Sequence, residues 1–165
     1  MTTNGNERIN PDDFTTRILV DQTPREVFDA VNNVRGWWSQ DIQGSIEKLN
    51  DEFVYVVEGI HYAKMRLVEV IPERRVVWLV VESTLSFVKD KQEWTGTKIL
   101  FDISRQGDKT RLVFTHQGLI PKLECHDICV SAWTDYVHDS LFKLITTGKG
   151  DPNLEGRTIK TPAIQ

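Results

Sequence analysis

The middle of the chain alternates apolar and polar residues with a period of two, and this pattern limits the fold more than any other feature. Turn signals such as LND, EGI, PERR and QGD separate most of the alternating segments. Connections this short join antiparallel neighbours, so the pattern predicts an antiparallel meander. Its segments span about 42–49, 52–58, 61–71, 75–83, 96–105 and 109–116.

A strand and a helix precede the meander. Alternation in FTTRILVD, residues 14–21, predicts a half-buried strand. Thr23 is a good N-cap, Pro24 suits the first helical position, and Glu26 completes a capping box. We expect this helix to end near Gly36, because glycine commonly closes helices. Trp37 and Trp38 would then lie in a short second helical turn leading into the sheet.

A long amphipathic helix follows the meander, over roughly 125–147. Gly148 and Pro152 should stop it, and residues 149–165 are expected to be a flexible tail, like residues 1–13. Phe142 falls opposite Trp133, on the exposed side, as a lone surface ring or part of a dimer contact. One helical arc of about 120° holds the apolar residues Val130, Trp133, Val137, Leu141, Leu144 and Ile145.

Composition excludes several classes of protein. A chain of 165 residues suits one domain, here 14–148, and a net charge of -4 gives no electrostatic footprint for nucleic acid or an anionic membrane. The longest apolar run, 76–81, is far short of the ~20 residues of a membrane helix. MTTNGNERINPDDF contains no apolar core of a signal peptide, so we expect a cytoplasmic protein.

The only two cysteines, Cys125 and Cys129, form a C-H-x-x-C cluster with His126. A structural zinc usually takes four ligands with wider pair spacing, so we predict reduced, half-buried thiols and no metal site or cofactor.

The order of elements and several motifs resemble a known family. The motifs are GWWSQDIQG, EWTGTKILFDIS, LVFTHQGL and ECHDICVSAWTDYVHDSLFKLITTGKGDPN. They resemble an SRPBCC (START-like, helix-grip) protein of the group named for the activator of heat-shock-protein-90 ATPase, over about 14–153. The resemblance implies an α+β fold. In it, a curved antiparallel sheet of six or seven strands wraps around the long C-terminal helix, and two short helices follow strand 1.

The resemblance also implies a cavity between sheet and helix, which takes apolar or amphipathic small molecules in many relatives. A co-chaperone role is implied for the members that gave the group its name. Those eukaryotic co-chaperones carry an additional N-terminal domain, whereas this chain has about 13 residues before its first strand. A chaperone partner is therefore a doubtful expectation.

Strand parity indicates which side chains face that cavity. Lys98 and Arg111 should point to water, as should Lys64 and Arg66. The sequence does not decide to which face of the sheet Trp78 points. The inward set is then Phe53, Tyr55, Val57, His61, Ala63, Met65, Leu67, Ile99, Phe101, Ile103, Leu112, Phe114 and His116.

Large rings come from every element that would rim or roof a cavity. An aromatic stripe at helical spacing is more often plain core, but small-molecule pockets are mostly apolar with a few placed polar groups. For the tryptophan pair, we expect one ring under the long helix and the other at the cavity mouth. The candidate ligand-binding residues are Trp37, Trp38, Phe53, Tyr55, His61, Met65, Trp78, Trp94, Phe101, Phe114, His116, Cys129, Trp133 and Tyr136. The loop over 84–94 is expected to cover the cavity.

His61 and His116 have two interpretations. Histidine titrates near neutral pH, so each is a candidate ligand anchor or general acid/base. The simpler interpretation, which we favour, is a hydrogen-bonded histidine at the edge of the core. No acid, nucleophile or metal ligand accompanies either histidine at a sequence spacing typical of a catalytic or metal site.

Three functions remain open. The first is a non-catalytic cytosolic binding protein for an apolar or amphipathic small molecule, as a monomer or weak dimer. The second is a co-chaperone-like protein-interaction module, and the third is an enzyme resembling polyketide cyclases and aromatases. We predict no catalytic residue, because no Ser/His/Asp order, phosphate loop or metal motif occurs.

Overall fold

The computed structural model describes residues 10–154 as one seven-stranded antiparallel sheet with helices on one face. The order of the strands in the sheet is β1-β7-β6-β5-β4-β3-β2. The strands are β1 (Phe14–Val20), β2 (Gln43–Gly44), β3 (Glu52–Val57), β4 (His61–Ile71), β5 (Arg75–Leu85), β6 (Lys98–Gln106) and β7 (Lys109–Gln117).

The helices form two groups. Between β1 and β2 lie α1 (Pro24–Asn32) and α2 (Val34–Trp37). After β7 a continuous helix runs through α3 (His126–Asp135), a π-helical segment (Tyr136–Leu141) and α4 (Phe142–Thr147). No helix within 10–154 combines the length and apolar character needed to cross a membrane. The curved sheet and the long C-terminal helix confirm the helix-grip fold that the resemblance implied.

The inward parity predicted for the strands is confirmed. The side chains of Ile99, Phe101, Leu112, Phe114 and His116 are fully buried, and so are those of Ala63 and Met65. Period-two alternation places them on the concave face because successive Cβ atoms of a strand point to opposite sides. Trp78, left open by the sequence, also faces inward and is 0% exposed.

The segment 42–49 differs from its prediction, since only Gln43 and Gly44 pair with β3. Asp51 explains where the strand ends, because its carboxylate accepts hydrogen bonds from the backbone N–H groups of Glu47 and Lys48, at 2.9 and 3.1 Å. An aspartate that binds preceding backbone N–H groups turns the chain and competes with sheet pairing.

The first helix confirms its capping box but not its end. Thr23 accepts from Glu26 N at 3.1 Å and Glu26 Oε1 accepts from Thr23 N at 2.9 Å. The helix ends at Asn32, and Gly36 lies inside α2 rather than closing α1. A Cβ at Gly36 would approach the Asn33 side chain to within 2.5 Å, so close packing accounts for this glycine.

The segment after the long helix folds back onto the tryptophan pair. Ser140 in the π-helical segment donates to the Trp37 carbonyl and accepts from Asp151 N, both at 2.7 Å. Asn153 donates its backbone N–H to the Trp38 carbonyl at 2.8 Å and accepts from Gln40 N at 2.9 Å. We call residues 150–153 the clasp.

The clasp differs from the flexible tail expected from residue 149. Asp13, at the end of the other expected tail, is also tied to the domain, because its carboxylate accepts from Gly118 N at 2.9 Å. The remaining tail positions, 1–9 and 155–165, lie outside the described residues.

Candidate functional site

A cavity of about 70 Å³ lies between the sheet and the long helix. Its half-buried residues Val57, Ile60, Phe87 and Ile128 rim an opening to the surface. Almost all of the lining surface is apolar. The lining residues are Trp38, Tyr55, Val57, Ile60, His61, Phe87, Trp94, Ile128, Cys129, Ala132, Trp133 and Tyr136.

The structure brings half of the fourteen sequence-predicted site residues to this cavity. Those lining it are Trp38, Tyr55, His61, Trp94, Cys129, Trp133 and Tyr136. The other seven lie behind the cavity wall or in the solid core: Trp37, Phe53, Met65, Trp78, Phe101, Phe114 and His116.

Packing explains why those seven residues do not reach the cavity. Strand parity predicts which face of the sheet a side chain points to. It does not predict where along the strand other elements fill the concave side and leave no cavity. Helices α1 and α2 and the ring of Trp37 occupy the space under β5 and β6. Trp37 contacts Trp78 and Phe101, with ring centroids 6.4 and 6.0 Å apart.

The two adjacent tryptophans have different roles, as expected, although both are buried. Trp37 is solid core and donates its indole N–H to the Val31 carbonyl at 3.1 Å. Trp38 forms one wall of the cavity, stacked on Tyr55 at 4.2 Å and tilted against Trp133 at 5.1 Å. Trp38 is only 2% exposed, so it lies at the inner wall and not at the mouth where we expected the second ring.

His116 is a structural histidine that ties three elements together. The Trp133 indole N–H donates to His116 Nδ1 at 3.0 Å, and His116 Nε2 lies 2.9 Å from Thr97 Oγ1. Because an indole can only donate, Nδ1 carries no proton and Nε2 donates to the threonine. Thr97 Oγ1 in turn donates to the Trp94 carbonyl at 2.6 Å. Desolvation lowers the pKa of His116 to about 3, so the ring is neutral.

His61 lines the cavity and has an unsatisfied nitrogen. Its Nε2 is buried and has no hydrogen-bond partner among residues 10–154, and the same is true of Trp94 Nε1. The two rings meet edge to face with centroids 4.5 Å apart. Desolvation lowers the pKa of His61 to about 3. A buried polar atom without a partner is costly, so these two groups are the least satisfied part of the site.

Two tyrosines and a cysteine supply the other polar groups of the lining. Tyr55 and Tyr136 approach each other, and burial raises the pKa of Tyr136 to about 12 and that of Tyr55 well above 10.0. Cys129 interacts with the buried thiol of Cys125, whose pKa is raised by that contact and by desolvation. None of the twelve lining residues is Asp, Glu, Lys or Arg, so the lining is uncharged near neutral pH.

The loop expected to cover the cavity does so. Trp94 is 3% exposed and stacks on Trp133 at 5.8 Å, while Phe87 stands at the rim. Glu93 fastens the loop to the start of the long helix. Its carboxylate accepts from Glu124 N at 2.8 Å and from Cys125 N at 3.1 Å.

Five lining residues were not among the predicted site residues. Ala132 stands three positions after Cys129 and four before Tyr136, and Ile128 stands four before Ala132, so helical spacing from the predicted residues would have found both. Val57 shares parity with Tyr55, whereas Ile60 lies in a turn that carries no periodic signal. Phe87 carries only a weak signal, a large ring in a charged loop.

The cysteine cluster does not assemble a metal centre. Cys125 and Cys129 are buried free thiols. Among residues 10–154 no group of three or more His, Cys, Asp or Glu side chains is placed to hold a metal ion.

Comparisons with known proteins identify the fold. No family model matches the chain, and no curated protein sequence matches it. Among solved structures, the Aha1 dimer from Colwellia psychrerythraea is 21% identical, with a TM-score of 0.68 over 84% of this chain and 98% of that one. CalU16 from Micromonospora echinospora is 15% identical, with a TM-score of 0.59 over 86% of this chain and 83% of that one.

A third structure is DynU16, a protein of the dynemicin biosynthetic locus. It is 15% identical, with a TM-score of 0.61, and the match covers 86% of this chain and 49% of that one. At these identities the likenesses establish the helix-grip fold, which hosts many activities.

Proposed function

We propose that this chain is a non-catalytic binding protein for a neutral apolar or amphipathic small molecule, held in the cavity between sheet and helix. The observation that carries the proposal is an apolar cavity whose wall includes two residues, His61 and Trp94, with buried and unpartnered ring nitrogens. Ligand sites commonly combine apolar walls with a few polar groups.

The charge of the lining argues for a neutral ligand. A buried carboxylate or ammonium without a counter-charge is strongly disfavoured, and the cavity offers no such counter-charge. His61 stays neutral because its pKa is about 3. A volume of about 70 Å³ is roughly that of two liquid water molecules. The proposed ligand therefore places one end inside the cavity and extends past Phe87 at the rim.

The proposal is tested by comparing two probes of the same ring system, 1-naphthol and 1-naphthoate. Calorimetric titration of the wild-type protein near neutral pH should show saturable binding of the neutral naphthol. Binding of the anionic naphthoate should be at least about tenfold weaker, since about 1.4 kcal/mol of uncompensated charge burial suffices for that factor. Equal affinity for both probes, or no saturable binding of either, would contradict the proposal.

Ala132→Leu is the matched variant for this experiment. Ala132 lies on the cavity wall in α3, and leucine is a good helix former whose added isopropyl group fills the space. The variant should keep the wild-type stability and lose naphthol binding. Naphthol binding that survives in Ala132→Leu would place the site elsewhere.

A protein-interaction role is a second candidate, supported by one observation. The Aha1 structure from Colwellia psychrerythraea is matched over 98% of its length, so a protein with that name consists of this fold without the additional domain of the eukaryotic co-chaperones. On this proposal, the chain would stimulate the ATPase of a heat-shock-protein-90 homologue, and Ala132→Leu would stimulate it equally. Absence of stimulation would remove this candidate.

A cyclase-like enzyme has less support. Both ring nitrogens of His116 are engaged in hydrogen bonds, and His61 is a weak base with a pKa of about 3. General acid/base catalysis works best with a pKa near the operating pH.

A further inference from the structure

A second concave site lies on the opposite, outer face of the sheet, at its β1 edge. It is a groove of about 370 Å³ lined by Arg17, Ile18 and Leu19 of β1, Gln106 of β6 and Arg111 of β7. Unlike the cavity, the groove contains two permanent positive charges.

Strand register brings the two arginines together. Leu19 pairs with Arg111 and Arg17 pairs with Val113 in the antiparallel ladder of β1 and β7. Arg17 and Arg111 are therefore diagonal neighbours on one face of the sheet. Diagonal Cα atoms are about 7–8 Å apart, which two long side chains span easily.

Neither guanidinium has a counter-charge among residues 10–154, and the Nε of Arg111 is buried without a hydrogen-bond partner. Two other arginines of the outer face are paired. Arg75 binds Asp102 at 2.6 Å and Glu69 at 2.9 Å, and Arg66 binds Glu52 at 2.8 Å.

Two carboxylates on this face are diagonal neighbours of Arg111, Asp102 of β6 and Asp21 just after β1, but each is held by another cation. Asp102 pairs in register with Val113, which stands between it and Arg17, and its carboxylate is held by Arg75. Lys109, further along β7, is paired with Asp21. Two adjacent like charges repel, and an anion that neutralises both would remove this repulsion.

We propose that Arg17 and Arg111 form a binding site for a phosphoryl dianion, free or carried by a small organic molecule. A dianion matches two guanidinium charges, and the planar fork of arginine binds phosphoryl oxygens through paired N–H donors. The site is separate from the cavity and does not depend on the function proposed for it.

The test is a titration of the full chain with inorganic phosphate at low ionic strength, followed through the arginine Nε–Hε signals in nitrogen-correlated NMR. Low salt is needed because surface electrostatics are screened within about 10 Å at 0.1 M. The Arg111 signal should move and saturate. Acetate, a monoanion, should bind at least about tenfold more weakly. A second titration with phenyl phosphate distinguishes the two forms of the dianion. If phenyl phosphate binds more tightly than inorganic phosphate, the ligand is an organic phosphomonoester. If it binds more weakly, the ligand is the free ion.

Four variants decide the assignment. Arg17→Gln and Arg111→Gln should each weaken phosphate binding about tenfold, or about 1.4 kcal/mol. Lys98→Gln removes a charge from the same face outside the groove and should leave affinity unchanged. Arg111→Lys serves where Arg111→Gln fails to fold, and it should also weaken binding because lysine lacks the fork. A linear, unsaturable response, or equal affinity in all variants, would overturn the proposal.

Discussion

Two histidines of the inner face, one at the start of β4 and one near the end of β7, show how strongly local surroundings determine the role of one residue type. His116 is satisfied on both ring nitrogens and links β7 to the long helix and, through Thr97, to the covering loop. His61 has a buried nitrogen without a partner and lines the cavity. The simpler of the two sequence interpretations thus holds for His116, whereas the ligand-anchor interpretation of His61 stays a prediction.

Both histidines should make stability depend on pH. Their folded-state pKa is about 3, below the ordinary value of 6.5, so the unfolded chain binds protons more readily. Their contribution to stability is complete above pH 6.5 and is lost as pH falls from 6.5 toward 3. For each fully desolvated histidine, the free energy of unfolding falls by about 1.4 kcal/mol for every unit that the pH drops in that window. His116 should contribute most, because the other edge of His61 reaches the surface.

Urea unfolding at pH 7.5, 6 and 5 measures this dependence, and the range stays above the titration of most carboxylates. His61→Gln, as a control, should reduce the slope only in part. A free energy of unfolding that is constant from pH 7.5 to pH 5 would show that His116 is not held neutral by burial.

At the scale of elements, the covering loop and the long helix act as one unit because Glu93 joins them. Its carboxylate accepts from the backbone N–H groups of Glu124 and Cys125, which immediately precede the first residue of the long helix. An acidic group at a helix N-terminus satisfies N–H groups that have no partner within the helix.

Glu93→Ala should therefore destabilise the fold by about 1 kcal/mol, the usual cost of losing a helix cap. Amide hydrogen exchange should accelerate at Glu124 and Cys125. Gln92→Ala, in the same loop, is the control and should leave both quantities unchanged. Unaltered exchange in Glu93→Ala would mean that the Glu93 carboxylate does not hold the loop, which Trp94 and the hydrogen bond from Lys89 N to Glu124 then fasten.

The clasp gives the π-helical segment a structural purpose. Ser140 is fully buried and bridges the Trp37 carbonyl and the Asp151 N–H. Ser140→Ala leaves both backbone groups without this partner, which should cost about 1–3 kcal/mol. Ser131→Ala, an exposed position of the same helix, should change the free energy of unfolding by a few tenths of a kcal/mol at most. Similar small effects of both substitutions, measured by urea unfolding, would show that the clasp contributes little.

Some elements could be predicted from the sequence for clear physical reasons. The strand over 61–71 was predicted to the residue, because alternation and the turns on either side are both strong local signals. The break of α1 at Asn33 and the π-helical segment starting at Tyr136 were not predicted. The prediction turned the chain by 100° per residue, which assumes an unbroken α-helix. The clasp that accompanies the π-helical segment is a long-range contact, which a local sequence pattern does not reveal.

At the scale of the whole molecule, the fold is a sheet filled at one end and hollow at the other. Helices α1 and α2 fill the region around Trp37 and Trp78, while the cavity lies toward Tyr55 and Trp94. Half of the predicted site residues line the cavity, because strand parity and helical spacing identified the correct faces of the sheet and of the long helix. The rest do not, because the depth of filling depends on how distant helices pack.

We propose that this hollow end holds a small neutral molecule, and native mass spectrometry of freshly purified, detergent-free protein tests for that molecule. The wild-type chain should carry a noncovalent small molecule that is released on denaturation. Ala132→Leu, prepared in the same way, should lack it. A wild-type protein free of any small molecule, or the same molecule retained in Ala132→Leu, would contradict the account.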